Sequence, residues 1–162
     1  MATRDLRFPI LLLAYLAGLA LLFGTVLSVP YRAASYWLSG LTAQAVHGVM
    51  GLFADMKIDG VFVWYDGFPV EIVGECVGLY EVIIFSACVL AYPAPARAKW
   101  IGLPLGAAVI FAFNLVRIMG LLVVGRHQPA MFDFFHLYFW QSTLVLLVAT
   151  VWLAWLQLIV RR

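Results

Sequence analysis

The chain has 162 residues, 65% of them hydrophobic and only 11% charged, with a formal net charge of +2. A soluble domain carries about 25% charged residues, so these figures exclude an ordinary soluble fold and point to an integral membrane protein. No Lys/Arg cluster suits nucleic acid, no phosphate-binding G-x-x-x-x-G-K-[ST] loop is present, and internal repeats and low-complexity segments are missing.

In chain order, the first apolar run covers residues 8–29, "FPILLLAYLAGLALLFGTVLSV", without a charge. A bilayer crossing takes roughly 20 residues, whereas a signal peptide has an apolar region of about 7–15 residues followed by a small-residue cleavage site. The run therefore reads as a retained helix. Residues 30–75 are expected on the outer side. Their first part, "YRAASYWLSGLTAQAVHGVMGLFADMK", mixes apolar and small polar residues at loosely helical spacing, as in an amphipathic segment lying along the interface. Next, "VFVWYDGFPVEIVG" holds two β-rich runs around an Asp66-Gly67 turn signal, which predicts a short β-hairpin. Pro69 restricts where its ladder bonds form. A second span is predicted over 77–92, a third over 100–124 and a fourth over 137–160, the last with Tyr and Trp near its ends as interfacial anchors. The expected fold is thus an all-α polytopic membrane protein, a single membrane domain of about four transmembrane helices, with an outer amphipathic segment and the short hairpin.

Basic residues give the orientation. With four spans, the N-terminus, the loop 93–99 and the C-terminus share one side and hold Arg4, Arg7, Arg97, Lys99, Arg161 and Arg162. The other side holds only Arg32, Lys57 and Arg126, with most of the carboxylates. Both termini are expected in the cytoplasm, in a multi-pass protein of the cell (inner or plasma) membrane, with residues 30–75 and 125–136 facing outward.

This topology brings three groups to one depth. Cys76 lies at the outer end of the second span, between Glu75 and Glu81. Arg117 lies in the outer part of the third span, and His136 opens the fourth. A charged Arg inside a span costs a few kcal/mol on insertion scales and marks function where it faces a bundle interior. Asn114, at i−3, shares its face and is placed to orient it. A thiol in apolar surroundings is a poor nucleophile, and a neighbouring guanidinium or imidazolium moves it toward the thiolate. His136 suits a base that then protonates a leaving amine, and Arg117 suits an oxyanion partner; spacing alone leaves these two roles open. Cys88, His47 and His127 read as a buried small hydrophobe, a surface residue and a loop residue. With two cysteines, no CxxC pair and no Cys/His cluster at zinc spacing, neither a disulfide scaffold nor a metal site is expected. Cys76 and Cys88 would stand about 18 Å apart on an unbroken helix, beyond disulfide reach.

Together "ECVGL", "NLVRI" and "FFH" resemble the exosortase/archaeosortase family of polytopic membrane enzymes. Its cysteine stretch, similar to E-C-S-G, maps onto Glu75, Cys76 and Gly78, with Val77 where a small polar residue is usual. Its N-x-x-R-I stretch maps onto Asn114, Arg117 and Ile118, and its late histidine onto His136, preceded by Phe135. The matched core covers roughly residues 60–145, in a chain shorter than many members. The resemblance implies a cysteine transpeptidase acting on exported substrate proteins that end in a short motif, a transmembrane helix and a basic tail. Cleavage would fall on the outer side, through a Cys76 thioester, with transfer of the new carboxyl end to an acceptor. Catalytic roles fall on Cys76, Arg117 and His136, with Asn114 and Glu75 in support. The implied partners are those substrates and membrane lipid, with no nucleic acid, metal or organic cofactor. The alternative readings are a non-catalytic membrane subunit in which Arg117 pairs with a partner helix, and a transporter component. The latter lacks the paired broken helices of repeated halves.

Overall fold

The structure, a computed structural model, describes residues 7–25 and 28–161, the side chains of residues 22–31 excepted. Arg4 and Arg162, used above for orientation, lie outside the described residues, as does the junction at residues 26–27 within the first expected span. Helix α1 covers Arg7–Thr25 and α2 covers Ser28–Met50, with Pro30 in its first turn, where a missing N–H costs no helical bond. Three short strands follow: β1 (Met56–Asp59), β2 (Phe62–Tyr65) and β3 (Phe68–Glu71). A single 3-10 turn, Gly74–Cys76, leads into α3 (Leu79–Ala91) and then α4 (Ala96–His127). The chain returns through a 3-10 turn at Pro129–Met131 and a π-helical stretch at Phe134–Phe139 into α5 (Trp140–Trp155), which ends in a second π-helical stretch, Leu156–Val160.

Helical stretches Ala96–His127 and Pro129–Val160 are long and apolar enough to cross a membrane. The other two expected spans correspond to shorter apolar helices, Arg7–Leu21 and Leu79–Ala91, so a count of four is not supported by length. The second falls short for local reasons. Gly78 takes a left-handed conformation, φ 77°, at its start, and Pro93 follows its C-cap, leaving 13 helical residues. At 1.5 Å per residue these reach about 20 Å, less than a hydrocarbon core of about 30 Å.

The expected hairpin is present but belongs to a three-stranded antiparallel sheet in the order β1-β2-β3. Asp66 and Gly67 have φ values of 47° and 81°, the double positive φ of a two-residue turn matched to strand twist. The expected outer helical segment ends at Met50, and Lys57 belongs to β1 instead. Helix α2 buries Ser35, Ser39, Thr42, Ala43 and Val46, one face at helical spacing.

Two apolar clusters hold these elements together. Ala43, Val46, Met56, Val63, Ile72, Val77, Ile118 and Leu122 join α2, the sheet and one half of α4. Phe85, Val89, Ala98, Ile110, Val148, Trp155 and Leu156 join α3, α5 and the other half of α4. On α4 the buried positions recur every four residues, from Ala98 through Gly102, Gly106, Ile110, Asn114 and Ile118 to Leu122. Gly102 and Gly106 allow close approach, since a Cβ there would stand 2.1 Å from Trp155 Nε1 and 2.2 Å from the Phe85 ring. Trp155 Nε1 donates to the Ala98 carbonyl at 2.9 Å, satisfying a polar group inside the apolar cluster. Asn114 and Arg117 lie on α4 where the two clusters meet.

Candidate active site

Cys76 closes the 3-10 turn that joins the sheet to α3. Its N–H donates to the Val73 carbonyl at 2.8 Å. On one side Gly74 lies so close to α2 that a Cβ would stand 2.1 Å from Ser35 Oγ. On the other, Gly78 packs against Asn114, with a notional Cβ 3.4 Å from the Asn114 Cβ. A side chain at 74 would thus displace the Ser35 hydroxyl, and glycine is favoured at 78 by backbone conformation. Cys76 and Cys88 are both free thiols, and Gly78 breaks the helical path between them.

Asn114 links the cysteine to the arginine. Fully buried, it donates from Nδ2 to the Cys76 backbone carbonyl, while its Oδ1 accepts from Arg117 Nη1 at 3.3 Å. Arginine has no acceptor and a carbonyl no donor, so one orientation of the amide serves both neighbours. The i, i+3 relation expected between Asn114 and Arg117 is present. Arg117 is 3% exposed, and its Nε has no hydrogen-bond partner among the described residues. A buried charged donor without a partner is costly, several kcal/mol in an apolar setting, and such a group belongs beside a ligand or a developing charge.

His136 sits on the π-helical stretch Phe134–Phe139, half-buried, with its ring 5.6 Å from that of Phe132. Single π turns widen a helix locally and recur at functional sites. Cys76, Arg117 and His136, from three separate elements, line one cavity of about 630 Å³. Glu75, Tyr80, Glu81 and Gln141 share its polar end, while Ile84, Leu144, Val145 and Val148 extend it as an apolar slot between α3 and α5. A second cavity, about 360 Å³, is also bordered by Cys76 and His136 and runs beside β3. His127 ends α4 rather than lying in a loop, stacks edge-on to Tyr65 and does not line either cavity.

Burial pushes the Cys76 thiol above its ordinary value of 9.0. The Arg117 guanidinium and the bond to Val73 pull it back down, while Glu75 and Glu81 reinforce the rise. That balance favours the neutral thiol at rest, and a proton acceptor or added positive charge nearby would favour the thiolate.

From the sequence, Glu81 is a neighbour of Cys76 and not a site residue. The structure puts it in the cavity wall with Oε2 buried and without a hydrogen-bond partner among the described residues. A carboxylate inside the apolar run "LYEVII" was the available signal. Tyr80 and Gln141 gave none, because polar-tipped residues at helix ends are common interfacial anchors. Among the described residues no group of three or more His, Cys, Asp or Glu comes together to hold a metal ion.

Comparison with known proteins adds two matches. A family model described as transmembrane exosortase matches residues 2–155. Archaeosortase A of Haloferax volcanii is 29% identical over 103 residues, 61% of this chain and 30% of that protein, so the chain spans under a third of that relative's length. No solved structure matches.

Proposed function

The chain belongs to the transmembrane exosortase family, and on that premise we propose that it is a membrane-embedded cysteine transpeptidase acting on C-terminal sorting signals of exported proteins. The observation that carries this reading is the cavity that Cys76, Arg117 and His136 line from three different elements. Its polar end suits a scissile peptide. Its apolar slot, walled by Ile84, Leu144, Val145 and Val148, suits the start of the hydrophobic helix that follows the cleaved bond.

His136 takes the Cys76 proton, and the sulfur attacks the scissile carbonyl carbon. The carbonyl π electrons move to oxygen, and Arg117, with a free Nε, lies beside that oxyanion. As the tetrahedral species collapses, the C–N bond breaks and the His136 imidazolium protonates the leaving amine. A thioester on Cys76 remains. An acceptor amine then attacks it with His136 as base and regenerates the thiol; water in place of the amine gives hydrolysis. Burial of the site limits water and favours transfer. Both termini lie in the cytoplasm and the site faces outward in this reading, in the inner or plasma membrane. Asn114 links Arg117 to the Cys76 carbonyl, and Glu75 lines the cavity.

The test is capture of the acyl-enzyme. Purified protein in detergent is mixed with candidate exported proteins that end in motif, helix and basic tail, and is read by intact mass beside Cys76→Ala. The expected result is an adduct removed by hydroxylamine and missing in the variant. Substrate cleaved equally by Cys76→Ala would overturn the cysteine mechanism.

A further inference from the structure

We infer that the free edge of β3 is the docking strand for the substrate's extended segment just before the scissile bond, which adds to the sheet as a fourth strand. This inference deepens the reading above and rests on it for the identity of the occupant.

The first observation is the shape of the second cavity. Its walls include Phe68, Pro69, Val70, Glu71, Ile72 and Val73 in unbroken succession. Side chains alternate between the two faces of a strand. A cavity bordered by every residue in turn therefore runs along the strand's edge rather than over one face. The strand order leaves β3 at the rim of the sheet, so among the described residues this edge has no partner strand.

The second observation is the hydrogen-bond phase. Ile72 N–H donates to the Val61 carbonyl at 2.9 Å. In an antiparallel pair, bonded and non-bonded positions alternate. Val70 opposite Val63 is then bonded to β2, while Pro69 opposite Trp64 and Glu71 opposite Phe62 are not. The backbone groups of Pro69 and Glu71 thus face the cavity side. Pro69 has no N–H, so within β3 itself this edge offers one donor, from Glu71, and two acceptors, from Pro69 and Glu71. Pro69 blunts the edge against indiscriminate pairing and leaves a pattern for a short segment.

The third observation is continuity. Val73, Cys76 and His136 border both cavities. A chain laid along β3 from Phe68 toward Val73 arrives at the cysteine sulfur, and its continuation enters the apolar slot between α3 and α5. The N-to-C direction of the substrate then matches that of β3, and the added strand is parallel. One substrate residue would donate to the Pro69 carbonyl and accept from Glu71 N–H. The residue two further on would donate to the Glu71 carbonyl. Phe132, Ile118 and Leu121 supply the opposite wall, which suits small or apolar side chains on alternate substrate residues. Extended pairing also holds the scissile peptide flat, with a face of its carbonyl open to the sulfur from outside the peptide plane.

Binding to Cys76→Ala protein in lipid nanodiscs separates docking from chemistry. The probe is a peptide library of ten random residues, then a twenty-residue Leu/Ala helix and three arginines, against the helix-and-arginine part alone. The inference expects enrichment of sequences beyond the helix, and an N-methyl scan of a selected binder with losses at alternate residues. Glu71→Pro removes the single outward donor without touching the β2 ladder and should weaken binding about tenfold, near the top of the range for one backbone bond. Glu71→Ala keeps the N–H and should bind within about threefold of the parent. No enrichment, a uniform N-methyl scan, or unchanged binding by a Glu71→Pro protein of normal melting temperature would overturn the inference. If Glu71→Pro does not fold, the N-methyl scan on the parent decides. Selected binders that never acylate the wild-type chain would sink the catalytic reading while leaving the docking strand in place.

Discussion

Cys76 is poised rather than activated at rest, because two opposing influences act on one sulfur. Burial and two carboxylates hold the proton on, and Arg117 works to release it. With the folded value above 9.0, the thiolate is scarce at neutral pH and grows as pH rises. Alkylation of Cys76 by iodoacetamide in the Cys88→Ser background should therefore climb through pH 9 without levelling off. Arg117→Gln should move that climb further up. A plateau below pH 8 would contradict the balance described. Asn114 carries a separate burden, as the link between Arg117 and the Cys76 carbonyl. Asn114→Leu leaves both without that partner, at a cost of about 1–3 kcal/mol for each buried polar group so exposed. A drop of several degrees in melting temperature in detergent is expected, read by thermal unfolding, together with loss of acyl-enzyme.

At the scale of elements, the join between sheet and helix is where backbone conformation sets the chemistry. Gly78 holds φ at 77° immediately after the cysteine turn. Gly78→Ala incurs roughly 1–2 kcal/mol of left-handed strain. If that strain is relieved by rotation of the turn, Cys76 moves relative to Arg117. Acyl-enzyme yield should then fall by more than tenfold while the melting temperature changes by only a few degrees; a proportionate loss of both would mean Gly78 serves stability alone. The hairpin around Asp66-Gly67 was legible in the sequence, since the dipeptide itself dictates positive φ. β1 was not. "MKID" is short, carries Lys57 and Asp59, and gains strand character only by pairing with β2. The Asn114–Arg117 pair was legible because helical spacing fixes it. The bond from Asn114 to Cys76 spans 38 residues of sequence and depends on how α4 packs against the cysteine turn, which no local pattern encodes. The same holds for Glu81, whose place in the cavity wall follows from how α3 packs against its neighbours.

For the whole molecule, the distribution of basic residues argues that the sheet and the cysteine turn lie on the side opposite Lys99. A cysteine at Lys57, in a Cys76→Ser/Cys88→Ser background, should react with a membrane-impermeant maleimide on intact cells. One placed at Lys99, whose Nζ now caps the Leu90 carbonyl at 2.7 Å, should react only after permeabilisation. The reverse pattern would invert the molecule and put the cavity on the wrong side for exported substrates. The number of crossings was poorly legible. Hydropathy detects an apolar run, whereas Gly78 and the prolines after α3 decide how much of it is helix.

The π-helical stretch at Phe134–Phe139 makes the position of His136 a matter of counting. Trp140 N–H reaches back five residues to the Phe135 carbonyl, one more than an α-helix allows. The stretch therefore accommodates one residue more than regular coiling would, inserted between His136 and the part of α5 anchored by Leu144 and Val148. Were the stretch to wind as a regular α-helix with every residue kept, everything before it would turn by about 100° around the axis. His136 would then leave the cavity wall with its imidazole chemically intact, so its usefulness is written in the winding of the helix as much as in the side chain.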